Sequence, residues 1–344
     1  ACDGAIHQAR ERDLRPPRLS TEQCGTPIMD ARIMIADLPH CPVPGEIIRI
    51  AEPEQSIAGD ALTYILEPFQ PLREQLIAMT GIGLESEVEG DDTPLRRRSV
   101  PLPGAGQSLS VLAAGQPGGR RVVFIHGSPG LGEEWAPFLA DVPPGRLYLA
   151  PDRPGFGDSA QMPMTELQQQ ADALLPLLGS DGQEPVVLVG YSYGGPMALR
   201  LAADYPERVS GLLLIGAAAD PGLEEIHPLQ EVAALDFFAQ MLPTELANSN
   251  AELMSLRPGL EVLAQDLPDL RIPVTIVQGT ADTLVPPSNA DYIRNRIPRV
   301  AASVIVEGAD HFLPWSHPGL LAQALDCLVD AQPPRRSDVL SPER

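Results

Sequence analysis

Lysine is missing from this chain of 344 residues: all 24 basic residues are arginine, against 46 acidic ones, for a formal net charge of −22. Charge of that sign and size repels nucleic acid and anionic membrane surfaces, so no nucleic-acid partner is expected. Such acidity fits a saline or exposed setting and, equally, a genome of biased base composition. Aromatic residues are scarce at 4%, but hydrophobic residues make up 44%, so aliphatic side chains must fill a sizeable core. No run of about 18 apolar residues occurs, and no membrane-spanning helix is expected. The four cysteines form no CxxC, and no histidine pair stands at a metal-ligand spacing with a carboxylate. Neither a metal nor a cofactor is therefore expected. There is no internal repeat.

The two ends carry weaker signals. Residues 1–20 are polar and rich in Arg and Pro, as in a flexible arm. The chain starts at Ala1 with no intact signal peptide. Cys2, close to that start, resembles the lipidated cysteine of a bacterial lipoprotein. That resemblance implies export to the cell envelope on a lipid anchor; without it the expected location is cytoplasmic. Cys24 and Cys41 flank a short loop and could pair in an exported protein, whereas Cys327 sits in the apolar stretch Leu320–Val329 and reads as a buried core thiol. Two helices are expected in the N-terminal region, from Ser56 to Glu67 and from Pro71 to Met79, followed by an acidic linker from Glu85 to Asp92. Residues 1–97 are thus an N-terminal extension, and 332–344 a flexible tail.

From about residue 98 short apolar strands alternate with helices. Strands are expected at Ser99–Leu102, Ser108–Leu112, Val122–Ile125, Leu147–Ala150, Val186–Val189, Gly211–Ile215, Val274–Val277 and Val304–Val306. Helices fit Glu133–Ala140, Thr165–Leu178, Pro196–Ala203, Ser288–Arg296 and Pro318–Val329. Such alternation means an α/β fold, a mostly parallel sheet covered on both faces. Residues 221–270 interrupt it with helical segments at Leu235–Met241 and Asn250–Ser255, broken by Pro243 and Pro258. They read as a short helical cap inserted into a core of 98–220 and 271–331.

The chemistry gathers around Gly190-Tyr191-Ser192-Tyr193-Gly194, a G-x-S-x-G sequence between an apolar strand and a helix. A sharp turn in that context strains the serine and aims its hydroxyl out of the sheet, with a helix N-terminus beneath it. A serine hydroxyl needs a base to take its proton, and His311, after the strand Val304–Val306, suits that role. Asp282 follows the strand Val274–Val277 and would orient the imidazole; Asp220, one strand earlier, is its rival.

Five motifs in one order make the chain resemble the α/β-hydrolase family over about residues 98–331: His126-Gly127-Ser128-Pro129-Gly130, Asp152-Arg153-Pro154-Gly155-Phe156-Gly157-Asp158-Ser159, Gly190–Gly194, Gly279-Thr280-Ala281-Asp282 and Gly308-Ala309-Asp310-His311-Phe312. The resemblance implies a nucleophile Ser192, a base His311 and an acid Asp282. It also implies oxyanion donors in the backbone N–H groups of Tyr193 and Ser128, with His126 bracing the loop.

A serine nucleophile, rather than aspartate, points to hydrolysis of a small to medium carboxylic ester through an acyl-enzyme. The same residues are compatible with a proline iminopeptidase-like aminopeptidase, for which Glu224, Glu225, Glu231, Asp236, Glu245 and Glu252 would supply acidic groups. A cofactor-free perhydrolase or C–C bond hydrolase also fits, as does a non-catalytic binding protein on the same fold. Trp135 and the cap residues Phe237, Phe238 and Met241 are candidates for the pocket wall. The sequence leaves the oligomeric state open.

Overall fold

The computed structural model describes residues 37–43, 45–51, 95–102, 106–159, 164–180, 183–226, 230–231, 234–235, 242–297 and 300–331. Cys2, Cys24, the helices expected at 56–67 and 71–79, the acidic stretch 85–92, the tail 332–344, and Phe237, Phe238 and Met241 lie outside them.

Among the described residues, nine strands form one sheet: β1 (Glu46–Ala51), β2 (Arg96–Pro101), β3 (Ser108–Gly115), β4 (Arg120–Ile125), β5 (Arg146–Pro151), β6 (Val186–Tyr191), β7 (Val209–Ile215), β8 (Val274–Gly279) and β9 (Val300–Glu307). Their order is β1-β9-β8-β7-β6-β4-β5-β3-β2. Among the described residues, only the pairs β2–β3 and β3–β5 are antiparallel. Every residue of β6 and β8 is buried, as a central parallel strand with helices on both faces requires. The outer strand β2 carries the exposed Arg96 and Arg98, charge that discourages further strand pairing at that edge.

Among the described residues, five helices of eight residues or more flank the sheet: α1 (Leu167–Leu174), α2 (Gly194–Asp204), α3 (Thr244–Asp266), α4 (Ser288–Arg296) and α5 (Pro318–Asp330). The two-residue period of each strand divides the core into two layers. Leu188 of β6 packs with Leu174, Met197, Leu260, Leu263 and Ile293 from α1 to α4. Val187 and Val189 face the other way, toward Phe124, Phe138, Leu321, Leu325 and Leu328 of the layer that includes α5. Among the described residues, no helix is long and apolar enough to cross a membrane.

Three expectations need correction. Strand β1 falls inside the region read as an extension, yet it pairs in parallel with β9 from Glu46–Ala302 to Ala51–Glu307. Six residues with alternating burial, Ile48 and Ile50 inward, are a short signal, and the partner strand lies far along the chain. Second, Pro258 does not break the cap segment: α3 runs through it for 23 residues. A proline inside a helix costs about 3 kcal/mol. Burial of Leu256, Leu260 and Leu263 on one face, each worth roughly 1.5–3 kcal/mol, offsets that cost. Third, Cys41 is bonded to Cys327, with Cα atoms 5.4 Å apart across a sequence separation of 286. Cys41 therefore does not pair with Cys24, and Cys327 is not a free core thiol. The segment before β1 lies along α5, where the Leu38 N–H donates to Gln323 Oε1 (2.7 Å) and Gln323 Nε2 donates to Asp37 (2.6 Å). Sheet order, not sequence spacing, brings the two cysteines together.

Candidate active site

Ser192 stands at the turn between β6 and α2 with φ of +53°, the one non-glycine residue with positive φ among those described. A side chain in that region costs about 1–2 kcal/mol, so the surrounding structure must impose it. The Ser192 N–H donates to the Ile215 carbonyl (3.0 Å), and its own carbonyl accepts from Gly195 (3.0 Å) and Ala218 (3.3 Å). These bonds pin the turn to the end of β7 and leave the hydroxyl outside the ladder.

Next to this turn lies the loop from β4. Its approach is close enough that a Cβ built on Gly127 would stand 3.1 Å from the Ser192 Cβ. His126 is fully buried behind it. Its Nε2 accepts the Arg153 N–H (2.9 Å), which places the ring proton on Nδ1, where it donates to the Gly127 carbonyl (2.9 Å). Burial, reinforced by the Arg153 charge, holds its pKa well below the usual histidine range and keeps the ring neutral. The N–H groups of Ser128 and Tyr193 donate no hydrogen bond among the described residues.

On the far side, the loops after β8 and β9 bring Asp282 and His311 together. Asp282 Oδ2 accepts the proton of His311 Nδ1 at 2.7 Å, and both side chains are buried. The other carboxylate oxygen accepts the N–H groups of Leu284 (3.0 Å) and Val285 (2.8 Å), and Gln278 Nε2 donates to Oδ2 (3.1 Å). With Nδ1 thus occupied, Nε2 of His311 is the free acceptor. Asp220, the rival acid, instead accepts the N–H of Gly222 (2.9 Å) and caps the turn Pro221–Leu223. Asp310 accepts the N–H of Phe312 (2.9 Å).

Gly216, which the motifs did not single out, supports this pair. It has φ of +47°, and a Cβ there would stand 3.2 Å from His311 Nδ1 and 3.3 Å from Asp282 Oδ2. Any larger residue would press on the histidine and its acid. A glycine directly after a buried strand was the only signal available for it.

The Asp152–Ser159 motif also has a visible task. Asp152 Oδ1 accepts the Gly132 N–H (2.9 Å), while its Oδ2 accepts the Asp158 N–H (3.1 Å) and pairs with Arg97 (2.8 Å). Arg153 is fully buried and forms a forked ion pair with Glu252 of α3, at 2.9 and 2.8 Å. The same helix reaches the loop again through Ser249 Oγ, 2.8 Å from Ser128 Oγ. In the sequence Arg153 stands out only as part of a motif, because its partner lies 99 positions away.

Trp135, which the sequence leaves open between the pocket wall and plain packing, lies in the core. It is 1% exposed and packs in the aromatic cluster with Phe124 (5.1 Å between centroids), Phe138 (5.6 Å) and Tyr191 (6.5 Å). The tight turn beginning at Gly132 directs the ring into the core layer rather than toward the serine.

Comparison with known proteins places this arrangement. The pimeloyl-[acyl-carrier protein] methyl ester esterase of Aromatoleum aromaticum is 30% identical over 250 residues, which cover 60% of this chain and 95% of that protein. A peroxisomal alpha-beta-hydrolase from Saccharomyces cerevisiae shares the fold at a TM-score of 0.54 and 18% identity, over 72% of this chain and 92% of its own. A thermophilic esterase from Thermogutta terrifontis does so at 0.53 and 23%, over 68% and 98%. A family model described as the alpha/beta hydrolase family matches residues 122–324. That match, more than half of the sequence and running from within β4 into α5, makes this chain a hydrolase of the alpha/beta hydrolase family.

Proposed function

We propose that the protein is a carboxylesterase-like serine hydrolase that cleaves a small to medium carboxylic ester through an acyl-enzyme. Ser192 is the nucleophile, His311 its base and Asp282 the acid that orients the base. The observation that carries this reading is the strained Ser192 at the head of α2, at the same end of the sheet as a buried His311–Asp282 pair whose Nε2 is free to take a proton. His311 would accept the Ser192 proton as the hydroxyl attacks the ester carbonyl, then return it to the leaving alcohol. The Ser128 and Tyr193 N–H groups would receive the oxyanion. Water would then release the acid by the same route in reverse.

The methyl ester esterase named among the relatives supports a small leaving alcohol. The 221–270 segment, read as a cap, holds Glu224, Glu225, Glu231, Glu245 and Glu261 against a single basic residue, Arg257. A carrier of net negative charge would be repelled there, which favours a free ester. An aminopeptidase needs accessible acidic groups for a free amino terminus. Glu252, one of those offered for it, is fully buried and already paired with Arg153, which weighs against that alternative.

A fluorophosphonate probe, followed by nitrophenyl esters of rising chain length, tests the reading. Labelling at Ser192 and turnover peaking at short chains, both lost in Ser192→Ala, are the expected results. A folded protein without labelling would instead favour a non-catalytic binder.

A further inference from the structure

One peptide unit, Gly127–Ser128, links the oxyanion position to the buried ion pair. Its N–H is the one assigned above to the oxyanion, and its carbonyl is the Gly127 oxygen. That oxygen accepts from Arg153 Nη2 (2.6 Å) and from His126 Nδ1 (2.9 Å). A trans peptide is planar, and its N–H points opposite its C=O. Whatever fixes the direction of the Gly127 carbonyl therefore fixes the direction of the Ser128 N–H. A cationic donor on the carbonyl also polarises the unit and strengthens the N–H as a donor.

The guanidinium is itself held from several sides. Glu252 holds it in a fork, Gln170 Oε1 accepts from Nη1 (2.5 Å), and Gln170 Nε2 donates to Glu252. Its flat faces meet the rings of Phe156 (4.6 Å) and Tyr193 (4.8 Å). Tyr193 supplies the second expected oxyanion donor, so one side chain touches both the Gly127–Ser128 peptide unit, at its carbonyl, and the Tyr193 ring. Fully buried, Arg153 has no route to the substrate. A sealed ion pair is a poor device for stability, since apolar residues of similar volume commonly serve as well or better. Its placement is better explained by what it holds.

We propose that Arg153, locked by Glu252, is a positioning residue that aims the Ser128 N–H at the oxyanion and so makes turnover depend on the seating of α3. This rests on the serine-hydrolase reading. The test is the double variant Arg153→Met/Glu252→Leu, which removes both charges and keeps the volume filled. With Tm and circular dichroism close to wild type, kcat should fall by roughly 10²-fold, the lower end of the loss for a missing oxyanion donor. KM should change less than about threefold, and Ser192 labelling by the fluorophosphonate should slow in parallel, because its attack also passes through an oxyanion. A folded double variant with kcat within about twofold of wild type would overturn the proposal while leaving the serine-hydrolase reading intact. Absence of Ser192-dependent turnover in the wild type would instead remove the reading, and the proposal with it. Should the double variant not fold, Glu252→Gln keeps shape but loses charge; a kcat loss of about tenfold supports the proposal, and an unchanged kcat refutes it.

Discussion

Asp282 divides its carboxylate between two tasks: Oδ2 holds His311 Nδ1 at 2.7 Å, while Oδ1 is committed to the backbone N–H groups of Leu284 and Val285. The Asp282 carboxylate is therefore aimed by its own loop. Asp282→Asn should keep the fold but offer an amide where an acceptor is needed, favouring the wrong tautomer of His311. A fall in kcat of about 10⁴ is expected. Asp220→Ala, which removes only the cap on Pro221–Leu223, should leave kcat within about threefold. Ester turnover of the two variants, compared side by side, decides which carboxylate serves the histidine.

Gly216→Ala tests the packing beneath that pair. The positive φ alone should cost about 1 kcal/mol of stability. The added methyl would also displace His311 or Asp282 by a few tenths of an ångström, and kcat should drop by at least about tenfold. Urea unfolding together with kcat would separate the two effects. Loss of stability without loss of kcat would show that the pair tolerates the methyl.

Glu134 provides a pH-dependent signature. The side chain is buried; Oε1 accepts the Leu131 N–H at 3.1 Å, and Oε2 has no partner among the described residues. Burial outweighs that bond and the nearby Arg153 charge and lifts its pKa from the ordinary 4.5 to about 8, with Glu133 and Asp152 pushing the same way. The folded state thus retains a proton that the unfolded chain releases earlier. The stability contributed by this group is complete below pH 4.5 and is lost as pH rises toward about 8, by at most about 1.4 kcal/mol per pH unit. Glu134→Gln should abolish that slope, so the variant gains on wild type between pH 5 and pH 8 in denaturant titrations. Parallel curves would mean that Glu134 ionises normally.

The Cys41–Cys327 bond restrains the unfolded chain across a long loop, and Cys327→Ser should lower stability by about 2–4 kcal/mol. Thermal unfolding with and without reductant provides the check. Reductant should shift wild type toward the variant and leave the variant unmoved.

What could be read from sequence was whatever depends on near neighbours. Strands β3 to β9 announce themselves as apolar runs bounded by turn residues, and the motifs at 190–194, 279–282 and 308–312 sit at strand ends where side chains are exposed to one another. His311 and Asp282 could be paired because both fall at such ends. Pairings set by the fold alone were not legible. Arg153 meets Glu252 across 99 positions, and β1 reaches β9 across most of the chain, so neither contact leaves a local pattern. Trp135 shows the opposite limit. Its position beside the loop suggested a role in the site, but the direction of a single turn decides which layer its ring enters.

The bond between residues 41 and 327 closes the chain from before β1 to near the end of α5 into a covalent ring that contains every strand of the sheet. A protease that cuts once anywhere inside that ring opens it without releasing a fragment. The cut protein would run as one species on a non-reducing gel and as two after reduction, and the pieces, held together, could keep Ser192 and His311 on one sheet.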